Sequence, residues 1–256
     1  MSIRRLVARW QGVVLVLVGL TATIWLGITG QLVLYIHPRY IVFTIIMAVI
    51  AAVLALAAFV LAPAAEDGHD HGGHDDTAAA GSWRRMLPTA VSIVTVVVAA
   101  VGLLVLPPAT LTTATVSQRD LNGSASALTL KEPAVPGKGD YSAFTVRDWA
   151  SLLRSGAGLD FFADKPATVT GFVTPDKNDP DVFFVTRFVV TCCAVDAQPI
   201  GVPVYHPGWQ NDFKADSWVT VSSTFRANPN PAGQESIVLI PDVITPTTQP
   251  AQPYVY

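Results

Sequence analysis

The sequence predicts an α+β membrane protein: three transmembrane helices followed by a small extracytoplasmic β-barrel of OB-like type with one short helix. Three observations predict it. Only 14% of the 256 residues are charged and 51% are hydrophobic, at a mean hydropathy of +0.44, whereas about a quarter of an ordinary soluble domain is charged. Charge is also uneven, with six Arg, five acids and no Lys in residues 1–107 against ten basic and fourteen acidic residues in 108–256. Long charge-free runs fill the first part, and short runs rich in Val, Ile, Thr and aromatics fill the second. The net charge of −3 lacks the basic footprint of a nucleic-acid binder, so no nucleic-acid partner is expected. No nucleotide loop, nucleophile elbow or zinc-protease motif is present, and the chain is not expected to be an enzyme.

The first span is expected over about 12–36, because Arg9 and His37 are separated by 27 residues without charge, more than the roughly 20 that cross a bilayer. Its length and the lack of a small-x-small site argue against a cleaved signal peptide. The second is expected over about 41–61 and the third over about 87–106, before Pro107 and Pro108. Arg4, Arg5 and Arg9 precede the first span and Arg84 and Arg85 the third, while the first turn has only Arg39. Basic residues stay on the cytoplasmic side, so the N-terminus is expected inside and the C-terminal domain outside, in the plasma membrane. Gly19, Thr23, Gly27 and Gln31 recur every four residues, a face for packing on this chain's own helices or on a second membrane protein.

Two loops carry candidate chemistry. His37 and Arg39 stand in the turn Tyr35-Ile36-His37-Pro38-Arg39-Tyr40, which reads either as an interfacial turn anchored by tyrosines or as the entrance for an ion or anionic solute. The cytoplasmic loop 66–76 interleaves His69, His71 and His74 with five carboxylates. It is either a loose site for a divalent transition metal such as zinc or a solvated acidic linker.

Residues 108–140, rich in Thr, Ser, Ala, Gly and Pro, read as a linker. The β-barrel domain follows at 141–256, opening with an amphipathic helix over Thr145–Ser155, with Thr145 as N-cap and Gly156 beyond. Five strands are expected at Ala167–Thr174, Val182–Thr191, Ile200–Tyr205, Ser217–Phe225 and Ser236–Ile240. Cys192 and Cys193 adjoin the second, where a period of two would point their sulfurs to opposite faces. Three readings stay open: two small buried residues, a redox-sensitive pair with Arg187 nearby, or a metal site completed by Asp196 or His206.

Five stretches together resemble the YcgQ-like family of bacterial membrane proteins: Tyr35-Ile-His-Pro-Arg39, the His-rich loop, Val169-Thr-Gly-Phe-Val173, Arg187-Phe-Val-Val-Thr-Cys-Cys-Ala-Val-Asp196 and Pro253-Tyr-Val-Tyr256. The resemblance covers most of the chain apart from 108–140. It implies a permease subunit acting beside a multi-span YcgR-like permease, with Cys192, Cys193 and Asp196 as the functional positions carried over. The leading expectation is therefore an accessory subunit handling a metal ion or small solute. The alternatives are an envelope anchor whose β domain binds a protein or glycan, and a thiol-redox protein.

Overall fold

The computed structural model describes residues 3–61, 82–106, 109–125, 141–163 and 165–256. They fall into two compact units, one of Met1–Val33 with Pro38–Pro108 and one of Leu34–His37 with Ala109–Tyr256. The His-rich loop, with His69, His71 and His74, lies outside the described residues.

The first unit holds α1 (Ile3–Ile28), α2 (Ile41–Leu61) and α3 (Ser82–Leu104). Trp10–Ile28 and Pro38–Ala58 are long and apolar enough to cross a membrane. The continuous apolar part of α3 is shorter, Ile93–Leu104. Apolar side chains such as Phe43, Val53 and Val98 are more than half exposed, as suits helices that face lipid. The first helix stops well short of 36. Gly30 takes a left-handed φ of +74° and ends it as a C-terminal glycine does, with Gly30 N–H donating to Gly27 O at 3.3 Å. Gln31 then opens a 3₁₀ turn, Gln31–Leu34, so it leaves the predicted α1 face. Gly27 packs closely on α2, where an added Cβ would stand 2.6 Å from Ile45 Cδ1. Gly19 has open space, and its carbonyl accepts the Thr23 hydroxyl at 2.9 Å. Arg39 lies 5.3 Å over the Tyr40 ring.

The second unit is built on a mixed sheet of six strands. These are β1 (Pro166–Pro175), β2 (Val182–Val189), β3 (Gln198–Tyr205), β4 (Trp218–Ala227), β5 (Ile237–Thr247) and the short β6 (Tyr254–Val255). The pairings β1–β2, β2–β3, β4–β5 and β1–β4 are antiparallel, and β3 meets β5 in parallel at Val204 and Leu239. The succession β1, β2, β3, β5, β4 thus returns to β1. Long β1 serves both neighbours: Pro166–Phe172 pair with β4, then Phe172–Pro175 with β2. At that handover Gly171 lets the backbones close up, since a Cβ there would lie 2.5 Å from Thr186 O.

Inward residues of the five long strands, among them Val169, Phe183, Val185, Ile200, Val221 and Leu239, form the core. Helix α5 (Val146–Arg154) adds Trp149, fully buried and 4.9 Å from the Phe225 ring. Its start is fixed as expected, with the Asp148 carboxylate accepting Thr145 N–H at 2.8 Å, and Gly156 at φ +81° follows it.

The limits of β1, β3 and β4 lie within two residues of the expectation, the short β6 was not expected, and β2 and β5 differ in ways that matter. β2 stops at Val189, for a reason that belongs to the site below. β5 runs on through Pro241 to Thr247 because the register shifts between Ser222 and Ser223, and at such a bulge a missing N–H is tolerated. Residues 109–125 are packed structure rather than linker. Asn122 exchanges two side-chain bonds with Gly201, at 2.9 and 2.8 Å. Leu111, Val116 and Leu121 join Phe172, Phe188, Val190 and Tyr254 in a second apolar cluster. This segment includes α4 (Thr113–Val116), whose first N–H donates to Asp216 Oδ1 at 2.7 Å.

Candidate thiol site

Thr191-Cys192-Cys193-Ala194-Val195-Asp196 forms a turn because Asp196 supplies local acceptors that compete with the sheet ladder. Its Oδ1 accepts Thr191 N–H at 3.2 Å and its Oδ2 accepts Cys192 N–H at 2.7 Å. Ala194–Asp196 close into a 3₁₀ turn, with Asp196 N–H on Cys193 O at 3.0 Å. The strict alternation that would separate the sulfurs therefore ends before the pair. The two sulfurs and an Asp196 carboxylate oxygen all lie within 4.8 Å of one another. Cys192 is exposed and Cys193 partly so, which overturns the reading of two buried core residues.

A second strand-like piece braces this turn. Ile36 and Cys193 form an antiparallel bridge, flanked by His37 N–H on Cys192 O at 2.9 Å and Ala194 N–H on Tyr35 O at 2.8 Å. Ile36 and Cys193 are thus the closely spaced pair of the ladder. The His37 ring meets Tyr256 edge-on at 4.6 Å. Burial, together with Tyr254, pushes the Tyr256 phenol up to about 12 against the pull of Arg187.

Two expected neighbours are elsewhere. Arg187 clamps the C-terminal segment: its Nε donates to Pro253 O at 3.0 Å and its Nη2 to Gln252 O, and it lies 5.6 Å over the Trp218 ring. Burial lowers its pKa, with Tyr256 opposing. A guanidinium so engaged is not the cation that the redox reading needs beside the thiols. His206 follows β3, a whole strand from the turn, where Nε2 meets Asp212 Oδ2 at 3.0 Å, so it does not complete a metal site with Cys192 and Cys193. Sequence reasoning missed the role of Ile36 as bridge partner and that of Arg119, whose Nη2 holds Val195 O at 2.9 Å. The apolar spacing of Val116 and Leu121 before Asn122-Gly123 was the available signal that this stretch packs.

Comparison with the curated proteins finds no match. Family models match twice, the DUF1980 N-terminal domain over residues 13–122 and the DUF1980 C-terminal domain over residues 151–256. The second match contains the whole thiol turn, and the first contains the Tyr35–His37 segment that braces it. With both domains present and in order, the chain belongs to the DUF1980 family.

Proposed function

We propose that this protein is a membrane-anchored subunit that takes a thiophilic metal ion at an extracytoplasmic thiol turn and works beside a multi-span permease. The observation that carries the reading is the convergence of Cys192, Cys193 and Asp196 within 4.8 Å. Zinc–sulfur bonds of about 2.3 Å place two thiolates on a tetrahedral ion about 3.8 Å apart. From separations within 4.8 Å, a closure of at most about an ångström would complete that geometry. Each Asp196 oxygen holds one N–H and keeps a lone pair, so the carboxylate is both oriented and available. Thiolates favour Zn²⁺ and Cu⁺, and the exposed position leaves a coordination place open for exchange, as a carrier needs.

The ring of pairings around β1–β5 supports an OB-like barrel. The three apolar helices α1, α2 and α3 support three spans. Arg4, Arg5 and Arg9 before α1 and Arg84 and Arg85 before the apolar run of α3 support an N-terminus inside and a β unit outside. Lipid is the solvent of the helices, and the permease supplies the path that three such apolar helices lack.

The test is metal content of the full chain purified in detergent and incubated with zinc or with copper(I) under reducing conditions. The expected result is one equivalent bound, lost in Cys192→Ser/Cys193→Ser and retained when His69, His71 and His74 are changed to Ala. Equal binding by the wild type and the Cys192→Ser/Cys193→Ser protein, or none by either, would overturn the reading.

A further inference from the structure

We infer that a cleft beside the barrel, lined by neither Cys192, Cys193 nor Asp196 and independent of their chemistry, binds a small organic oxyanion bearing a phosphate or carboxylate group. The cleft encloses about 560 Å³ between residues 113–121 and the β1–β2 turn, within the roughly 300–1,000 Å³ of small-molecule sites. Its apolar lining comes from Val116, Leu121, Pro175 and Phe184, a seat for a carbon skeleton.

The polar groups left without partners decide the class of ligand. Three cations line the cleft, Arg119, Arg154 and Lys177, and three acids, Asp120, Asp176 and Glu235. Glu235 is taken by Arg154 at 3.7 Å. Asp176 turns inward on its own loop, its Oδ1 accepting Asn178 N–H at 2.6 Å and Asp179 N–H at 3.1 Å. Among the described residues no carboxylate forms an ion pair with Arg119 or Lys177. The charges lining the cleft thus balance in number, and what distinguishes it is a guanidinium and a lysine held apart from its carboxylates.

Two buried polar atoms point the same way. Arg119 spends Nη2 on Val195 O, while its Nη1 is buried and without a hydrogen-bond partner. Thr174 is only 6% exposed, and its Oγ1 likewise lacks a partner. Leaving such groups unpaired is costly, and an oxyanion supplies what both need: acceptor oxygens for the guanidinium, and a partner for the hydroxyl. Either a soluble ester or a lipid headgroup carries that chemistry.

The test is calorimetric titration of the full chain in maltoside detergent, in phosphate-free buffer, with glycerol 3-phosphate and with glycerol. Glycerol 3-phosphate is expected to bind one to one and glycerol not at all. Arg119→Gln should weaken binding at least ten-fold. Because that change also removes the Val195 bond, Lys177→Gln and Thr174→Val provide milder variants, each expected to weaken binding several-fold. Cys192→Ser/Cys193→Ser should leave it unchanged, which separates this site from the metal reading. Loss of the signal when phosphatidylglycerol is added identifies a lipid headgroup as the occupant, and persistence identifies a soluble ester; both support the site. No binding of glycerol 3-phosphate by the wild type, or binding that Lys177→Gln and Thr174→Val leave intact, would overturn it.

Discussion

Asp196 carries two tasks with one carboxylate. It caps the N–H groups of Thr191 and Cys192, and it stands among the thiol sulfurs as a third ligand atom. Asp196→Asn keeps the shape but can accept through one oxygen only. It is expected to weaken metal binding at least ten-fold with a small loss of stability, read by competition against a chelator and by thermal unfolding. Tyr256 gives a prediction in pH. Its folded-state value of about 12 exceeds the ordinary tyrosine value of 10.0, so the folded protein holds the proton more tightly than the unfolded chain. Stability from this group is complete below about pH 10 and is lost as pH rises toward 12. Unfolding midpoints across that window should fall in the wild type and fall less in Tyr256→Phe. The spacing of Cys192, Cys193 and Asp196 was legible in the sequence, but their convergence was not. It depends on Asp196 ending β2 early, and on a bridge to Ile36, 157 positions away in the chain, which no local pattern encodes.

At the scale of elements, β1 shows how one glycine permits a topology. Gly171→Ala would place a Cβ against Thr186 O, a backbone atom that has little room to give. The expected cost is about 1–3 kcal/mol, measurable as a lower unfolding midpoint in detergent. Trp149→Ala would remove the buried ring of α5 at an expected cost of about 3–5 kcal/mol. The five long strands and α5 were legible because alternation, helical spacing and a cap each act over a few residues. The continuation of β5 past Pro241 was hidden because the proline reads as a strand end, and the bulge that accommodates it, with Asp242 as the extra residue opposite Ser222 and Ser223, shows only in the pairing with β4. The end of α1 was encoded by Gly30, yet the apolar run continues through Leu34 and masks it. Residues 109–125 looked like a linker by composition, and only their partners Gly201, Asp216 and Tyr254 make them part of the fold.

For the whole molecule, the proposal is a helical anchor joined to a β unit whose thiol turn and oxyanion cleft face the outside. Orientation has a direct consequence, because Cys192 is exposed. A membrane-impermeant maleimide added to intact spheroplasts should label Cys192 without lysis, whereas labelling only after lysis would reverse the topology. The central claim is that Cys192 and Cys193 hold one metal ion together. X-ray absorption at the metal edge of the zinc-loaded full chain tests it most directly. Two sulfur scatterers at about 2.3 Å are expected, replaced by oxygen or nitrogen in Cys192→Ser/Cys193→Ser. A wild-type spectrum with only oxygen and nitrogen neighbours would contradict it.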